Sequence, residues 1–129
     1  MADDQDRGAA GMAIRRKMFG PGGAEDSVAR SSSFNGPFED FVTNFCFGDV
    51  WTRPGLDHKT RSMLTIAILA VISRPTQLRH HVRGAIANGV TPDEIREVLL
   101  QVMVYGGVPA AADSFGHARE VLKEMGLDQ

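Results

Sequence analysis

Cysteine is almost missing from this chain, because Cys46 is the single cysteine among 129 residues. A lone cysteine excludes an internal disulfide and any Cys-x-x-Cys redox or zinc site. The histidines do not replace it, since the adjacent His80 and His81 would point about 100° apart on a helix. The sequence therefore predicts no metal site.

Long hydrophobic runs and an excess of charge of one sign are also missing. The longest apolar stretch, Met63 to Ile72, has about ten residues, roughly half of a membrane span. Lys and Arg number 14 against 16 acidic residues and form no block of like charge, which disfavours a nucleic-acid partner. The first letters, MADDQDRG, are acidic and lack an apolar core, so we expect no secretory signal and a cytoplasmic protein.

Apolar residues recur at helical spacing along most of the chain and alternate at strand spacing almost nowhere. The chain is therefore predicted to be all-α, a compact bundle of about six helices in a single domain over residues 1–129. Residues 24–36 and 48–55 are predicted to be connecting segments. The predicted helices are Gln5 to Phe19, one that starts at Pro37, one that follows Asp57 and ends near Ser73, Thr76 to Asn88, Pro92 to about Gly106, and Pro109 to Met125.

Two apolar patterns predict buried helix faces. Phe38, Phe41, Val42 and Phe45 form a stripe that we expect to pack tightly. From Met63 onward the following helix is apolar on almost all sides, which is typical of a central helix that its neighbours surround completely.

The stretch QLRHHVRGAIANG, residues 77–89, indicates an amphipathic helix with His81 at the edge of its buried stripe. If it forms an antiparallel hairpin with the next helix, His81 and Glu97 face each other. A neighbouring carboxylate would raise the pKa of the imidazole and orient it for acid/base catalysis. Simpler interpretations stay open: His81 is a hydrogen-bonded residue at the core edge, and the polar face of the next helix is merely solvated. That face consists of Glu94, Glu97, Gln101 and Tyr105.

Several segments together resemble the carboxymuconolactone decarboxylase family, over about residues 8–125. They are GDVWTRPGLD at 48–57, KTRS at 59–62, HVRGA at 81–85, NGVT at 88–91, EIREVLLQ at 94–101, Tyr105, and VPAA at 108–111. The resemblance implies an alkyl hydroperoxidase D-like fold with a central helical hairpin. Peroxidase-like relatives use a cysteine pair, and Gln77 and Leu78 stand where such cysteines could lie. Family members often have Tyr-Cys-Gly where this chain has Tyr105-Gly106-Gly107, which alters the expected pocket volume.

The activity that this resemblance implies is the removal of CO₂ from 4-carboxymuconolactone, which gives β-ketoadipate enol-lactone in the protocatechuate branch of aromatic catabolism. No cofactor is expected, because the lactone ring can itself accept the charge. The implied roles are His81 as proton donor or oxyanion partner, Glu97 as the group that orients it, Arg61, Arg83 and Arg53 as clamps for substrate carboxylates, Trp51 as a pocket wall, and Tyr105 as a hydrogen-bond partner of the substrate.

The resemblance also implies a compact homo-oligomer, a hexamer built as a trimer of dimers. A small chain with an all-apolar central helix has more surface to cover than one copy can manage. Two other functions stay open: another cofactor-free enzyme that processes a lactone or acid on the same scaffold, and a non-catalytic oligomeric binding protein.

Overall fold

The structure, a computed structural model, describes residues 3–128. It is mostly helical and contains no strand in that range, so the predicted all-α class is confirmed. None of the described helices combines the length and hydropathy that crossing a bilayer requires. The helices are α1 Asp4–Phe19, a 3₁₀ turn Pro21–Gly23, α2 Glu25–Ala29, α3 Gly36–Phe41 continued by a π-helical segment Val42–Val50, α4 His58–Val71, α5 Pro75–Ala87, α6 Pro92–Gly106 and α7 Val108–Glu124.

Most of the predicted helix boundaries lie within a few residues of the observed ones, and two predicted connecting segments do not. Helix α2 lies inside the predicted link 24–36, and the π-helical segment includes Gly48 and Asp49, which were expected in a loop. The chain divides into two compact units, an amino-terminal unit that ends at Asp57 and a carboxy-terminal unit that begins at His58. The single domain over residues 1–129 stays a prediction.

In the amino-terminal unit, α1 packs backbone to backbone against the π-helical segment. A Cβ on Gly11 would lie 2.0 Å from the carbonyl oxygen of Thr43, and a Cβ on Gly48 would lie 2.6 Å from that of Arg7. Only glycine permits so close an approach. A small apolar cluster of Ile14, Met18, Phe47 and Trp51 fills the remaining interior of this unit.

The inner face of α3 is charged, and the predicted packing of the apolar stripe is wrong for its three phenylalanines, whereas Val42 is half-buried against the small apolar cluster. Phe38, Phe41 and Phe45 are 66%, 69% and 57% exposed, whereas Glu39 on the opposite face is buried. The reason is a buried partner from α1, because Nη1 of Arg15 lies 2.9 Å from Oε2 of Glu39.

Further hydrogen bonds complete this buried ion pair. Arg15 also donates to Oγ1 of Thr43 at 2.8 Å, and the Ser27 hydroxyl donates to Oε1 of Glu39 at 2.8 Å. Burial alone would raise the pKa of Glu39, but the hydrogen bonds from Ser27 and Arg15, together with the guanidinium charge, hold it below its ordinary value. The network ties α1, α2 and α3 together.

The carboxy-terminal unit is built around α4 and α7, each of which packs against α5 and α6. Helices α4 and α5 form an antiparallel pair across the short link 72–74, and α7 follows α6 after Gly107. Direct contact between α5 and α6 is slight. The central hairpin is therefore α4 with α5, and the expected close pairing of α5 with α6 is wrong.

Local signals fix the short link between α5 and α6. Gly89 has a φ of 90°, in the left-handed region that glycine adopts without strain. The Thr91 hydroxyl then accepts from the Glu94 amide, and the Glu94 carboxylate accepts from the Thr91 amide. This confirms the predicted capping box, with Pro92 in the first turn of α6.

Helix α4 is only partly surrounded. Its inner side chains, Ser62, Ile66 and Ala70, are buried in the main core, but Ile68 and Ile72 are 59% and 51% exposed. The expectation of a helix completely surrounded by its own chain is therefore wrong, because the chain covers one side of α4 and leaves an apolar side open.

Candidate active site

His81 lies on α5 at the boundary between core and surface, as its place at the edge of the buried stripe predicted. Its Nδ1 is buried, and its ring contacts that of His80 edge to face, with centroids 6.0 Å apart. Burial, and secondarily the charge of His80, lowers the pKa of His81 to about 4. The imidazole is therefore neutral at pH 7.

Glu97 does not provide the expected carboxylate partner for His81. It is exposed on α6, where its Oε2 accepts from Nε of Arg96 at 3.1 Å. The expectation that a carboxylate raises the pKa of His81 is wrong, because α6 packs on α4 and α7 rather than on α5, and burial dominates at His81. A catalytic role for either residue stays a prediction.

The two arginines that flank His81 on α5 both pair with carboxylates of α7. Arg79 lies 2.6 Å from Glu120 and 3.3 Å from Glu124, and Arg83 also pairs with Glu124. These ion pairs link α5 to α7. Because Glu124 takes Nη2 of Arg83, a substrate carboxylate would have to bind the other N–H groups of that guanidinium or displace Glu124.

Arg61 is half-buried on α4, and its Nε is buried. It stands directly before Ser62, the first residue of the buried side of α4. A partly buried guanidinium suits a carboxylate ligand better than an exposed one, because solvent screens it less.

Trp51 and Arg53 belong to the amino-terminal unit. Trp51 is buried and stacks on Phe47, with ring centroids 5.6 Å apart and planes at 28°. Arg53 is exposed, and its amide donates to the carbonyl of Val50 at 3.0 Å, which closes the turn after the π-helical segment. Trp51 is thus a core residue of its own unit, and its role as a pocket wall stays a prediction.

Tyr105 lies in the last turn of α6 and is 82% exposed. The next residue, Gly106, lies against α4, because a Cβ there would lie 2.8 Å from Cγ2 of Val71. Glycine at this position therefore allows the carboxy-terminal ends of α4 and α6 to approach closely.

A buried polar pair between α4 and α5 was missed from the sequence. Nδ2 of Asn88 donates to Oγ of Ser62 at 3.0 Å, and Ser62 is fully buried. Ser62 could have been found, since it precedes Ile66 and Ala70 at the four-residue spacing of the buried side of α4. The sequence placed Asn88 at the end of a helix before glycine and in the NGVT segment, but it predicted no buried partner for this residue.

A cleft of about 690 Å³ lies between α6, α7 and the carboxy-terminal residues, with Ile95 and Leu99 among its apolar lining. None of the predicted site residues lines it. Within residues 3–128 no group of three or more His, Cys, Asp or Glu is placed to hold a metal ion. That no metal is used stays a prediction.

Comparison with known proteins gives a consistent result. The model of the carboxymuconolactone decarboxylase family matches residues 36–120. A 4-carboxymuconolactone decarboxylase of Acinetobacter baylyi is 38% identical over 97% of this chain and 93% of its own length. A nitrosuccinic acid decarboxylase of Metarhizium robertsii is 35% identical over 89% of this chain and 80% of its own length.

Proposed function

The chain belongs to the carboxymuconolactone decarboxylase family, and we propose that it is a carboxy-lyase that converts 4-carboxymuconolactone to β-ketoadipate enol-lactone. The observation that carries this proposal is the 38% identity to a decarboxylase of that name over nearly the whole of both chains. We place the reaction in the protocatechuate branch of the β-ketoadipate pathway and the protein in the cytoplasm. The single cysteine disfavours a peroxidase that uses a cysteine pair.

The reaction needs no cofactor, because the substrate accepts its own electrons. The bond between the ring carbon and the carboxylate breaks, CO₂ leaves, and the electron pair delocalises through the ring toward the lactone carbonyl. A proton then returns to carbon. The protein must bind two carboxylates, favour negative charge on the lactone oxygen, and deliver that proton.

His81 enters this reaction as a neutral imidazole. With a pKa of about 4, about one molecule in a thousand carries the proton at pH 7, so a preformed imidazolium is a poor proton source. A neutral ring can donate one N–H to the developing oxyanion, and a dianionic substrate beside it would raise its pKa. We therefore assign His81 first to the oxyanion and then to the return of the proton.

We rank the candidate carboxylate clamps by their burial and by the ion pair that Arg83 already forms. Arg61 comes first because it is half-buried and lies on the helix that packs against α5. Arg83 comes second because Glu124 already neutralises it. We keep Arg53, Trp51 and Tyr105 as proposed substrate contacts. Glu97 is kept as a supporting group, and we expect its substitution to lower the rate of decarboxylation less than substitution of His81 does.

A second candidate is the decarboxylation of a different dicarboxylic acid. The similarity to a nitrosuccinic acid decarboxylase supports it, because nitrosuccinate also carries two carboxylates and an electron-accepting group next to one of them. Gly106 in place of cysteine favours the same alternative, since it changes the volume beside Tyr105.

We also propose that the protein is a homo-oligomer, specifically a hexamer. The support is an apolar face where the ends of α4 and α6 meet the start of α7, around the contact of Val71 with Gly106. The exposed apolar side chains of this α4–α6 face are Ile68, Val71, Ile72, Val104, Tyr105 and Val108. A contiguous apolar face of this kind marks an interaction site.

The test is incubation of the purified protein with each acid, with CO₂ release and enol-lactone absorbance as the readouts. We expect CO₂ from 4-carboxymuconolactone at a rate that a chelator does not change, and at most slow release from nitrosuccinate.

Arg61→Lys should raise KM by roughly tenfold or more, because it loses a bidentate contact, and Arg83→Lys should raise it less. Release only from nitrosuccinate would transfer the assignment to the second candidate, and loss of activity with chelator would refute the cofactor-free reaction.

A further inference from the structure

The outer side of α3 and its π-helical continuation carries a stripe of exposed phenylalanines. Phe38, Phe41 and Phe45 form this aromatic stripe, and Phe34, which is 93% exposed, stands just before it. These four are more than half of the seven phenylalanines in the chain. Large aromatic side chains are normally the first to be buried, so a cluster of them in solvent requires a partner.

The chain cannot turn the stripe inward. The opposite side of the same segment is held inside by the Arg15–Glu39 ion pair and by the close approach of Gly11 and Gly48 to neighbouring backbone. Rotating the segment would force phenylalanine rings against the closely packed backbone of α1 and would leave the Arg15 guanidinium buried without its carboxylate. The aromatic stripe is therefore a fixed outer surface of the amino-terminal unit.

We propose that the aromatic stripe is a self-interface, which pairs with the same stripe of a second copy of this chain about a twofold axis near Phe41. At about 200 Å² per fully buried ring, the exposed parts of the three stripe phenylalanines amount to about 380 Å² per chain, and Phe34 beside them adds about 190 Å². Two copies would bury about 1,100 Å² of aromatic surface alone, close to the roughly 1,200 Å² at which stable interfaces begin.

The spacing of the stripe favours a second copy over an unrelated partner. Phe41 lies three residues after Phe38 and four before Phe45, near the middle of the stripe. In an antiparallel pair of copies, Phe38 of each copy would therefore lie against Phe45 of the other, and the two Phe41 rings would lie against each other. An isologous interface requires this self-complementarity, whereas an unrelated partner does not. The inference rests on the proposed homo-oligomer, but it is independent of the decarboxylase activity and concerns a surface distinct from the α4–α6 face.

Charge substitution at the axis tests the proposal. In sedimentation velocity at micromolar concentration, Phe41→Asp and Phe41→Lys should each at least halve the molar mass, because each places like charges opposite each other. A mixture of the two variants should regain the wild-type mass, because aspartate then meets lysine. Asp40→Asn is the matched control on the same turn and should keep the wild-type mass.

A monomeric wild type, an unchanged mass for the Phe41 variants, or a lower mass that mixing does not restore would each overturn the proposal. Circular dichroism shows whether the Phe41 variants keep their helical content. The milder Phe41→Ser variant tests the interface without introducing a charge. Hydroxyl-radical footprinting of the wild type gives an independent readout, in which Phe34 and the three phenylalanines of the aromatic stripe should be protected. Oxidation of these residues at the rate of free phenylalanine would also overturn the proposal. Decarboxylase assays on the same samples separate a failure of this inference from a failure of the proposed activity.

Discussion

The stability of the protein should fall steeply between pH 6.5 and pH 4 because of His81. Its pKa is about 4 in the folded chain and about 6.5 once the imidazole is exposed to water. Between these values the unfolded chain binds a proton that the folded chain does not. The contribution of His81 is therefore fully present above pH 6.5 and is lost as the pH falls toward 4.

The shift of two and a half pH units, at about 1.4 kcal/mol each, makes this contribution about 3 kcal/mol. Urea unfolding of the wild type and of His81→Asn, at several pH values from 7.5 to 4.5, isolates it, because the other titrating groups are common to both. The difference in the free energy of unfolding between the two proteins should change by about 2 kcal/mol or more over that range.

The matched control is His80→Asn, which removes the neighbouring charge but leaves the buried ring. It should raise the pKa of His81 only slightly, since burial is the larger cause. Two-dimensional NMR of the imidazole carbons would read the pKa directly. A His81 resonance that titrates at or above pH 6.5, together with parallel stability profiles for the wild type and His81→Asn, would refute the account of a desolvated neutral histidine.

Three further predictions concern packing and are tested by urea unfolding with circular dichroism. Glu39→Ala should lower the free energy of unfolding by about 3–5 kcal/mol, because it leaves the buried guanidinium of Arg15 without its carboxylate. A loss below about 1 kcal/mol would contradict the burial of this pair. Gly11→Ala should lower the free energy of unfolding by about 1–3 kcal/mol or more, because its Cβ would lie only 2.0 Å from a backbone carbonyl oxygen. The control Gly8→Ala should lower it less, because the new Cβ meets only a movable side chain. Equal losses in the two variants would contradict the contact at Gly11. Gly106→Ala should lower the free energy of unfolding by about 1–3 kcal/mol, and adding Val71→Ala to that variant should restore part of the loss, because it removes the side chain that the new Cβ meets. Strictly additive losses in the double variant would contradict this contact.

Much of the fold follows from local chemistry in the sequence. The capping box at Thr91, the left-handed Gly89 and the proline-led starts of α5 and α6 each act within a few residues, so pattern and structure agree there. The π-helical segment has no such signal. Its Gly48 was interpreted as a loop residue, whereas it is the point at which α1 approaches most closely.

The orientation of the aromatic stripe could not be derived from the sequence of α3 alone. Its period correctly identifies one apolar side, but whether that side faces the core depends on Arg15, which lies 24 residues earlier and neutralises Glu39 inside. Periodicity finds the side that avoids water, and it does not distinguish the chain's own core from the surface of another molecule.

The position of His81 at the core edge was predictable from the sequence, but its neighbours were not. The place of His81 at the core edge followed from the helical period. Its partner did not, because the short link after α5 favoured Glu97, while α4 and α7 occupy the position next to α5. That one change in packing reverses the direction of the pKa shift, and with it the protonation state of His81 at pH 7.

The most direct test of the account is the turnover of 4-carboxymuconolactone by His81→Ala beside the wild type, at equal helicity and equal sedimentation coefficient. The account predicts steady CO₂ release by the wild type and a rate at least about a hundredfold lower in the variant, a loss typical of an essential proton-transfer group. Equal rates in the two proteins, or no release by the wild type, would contradict it.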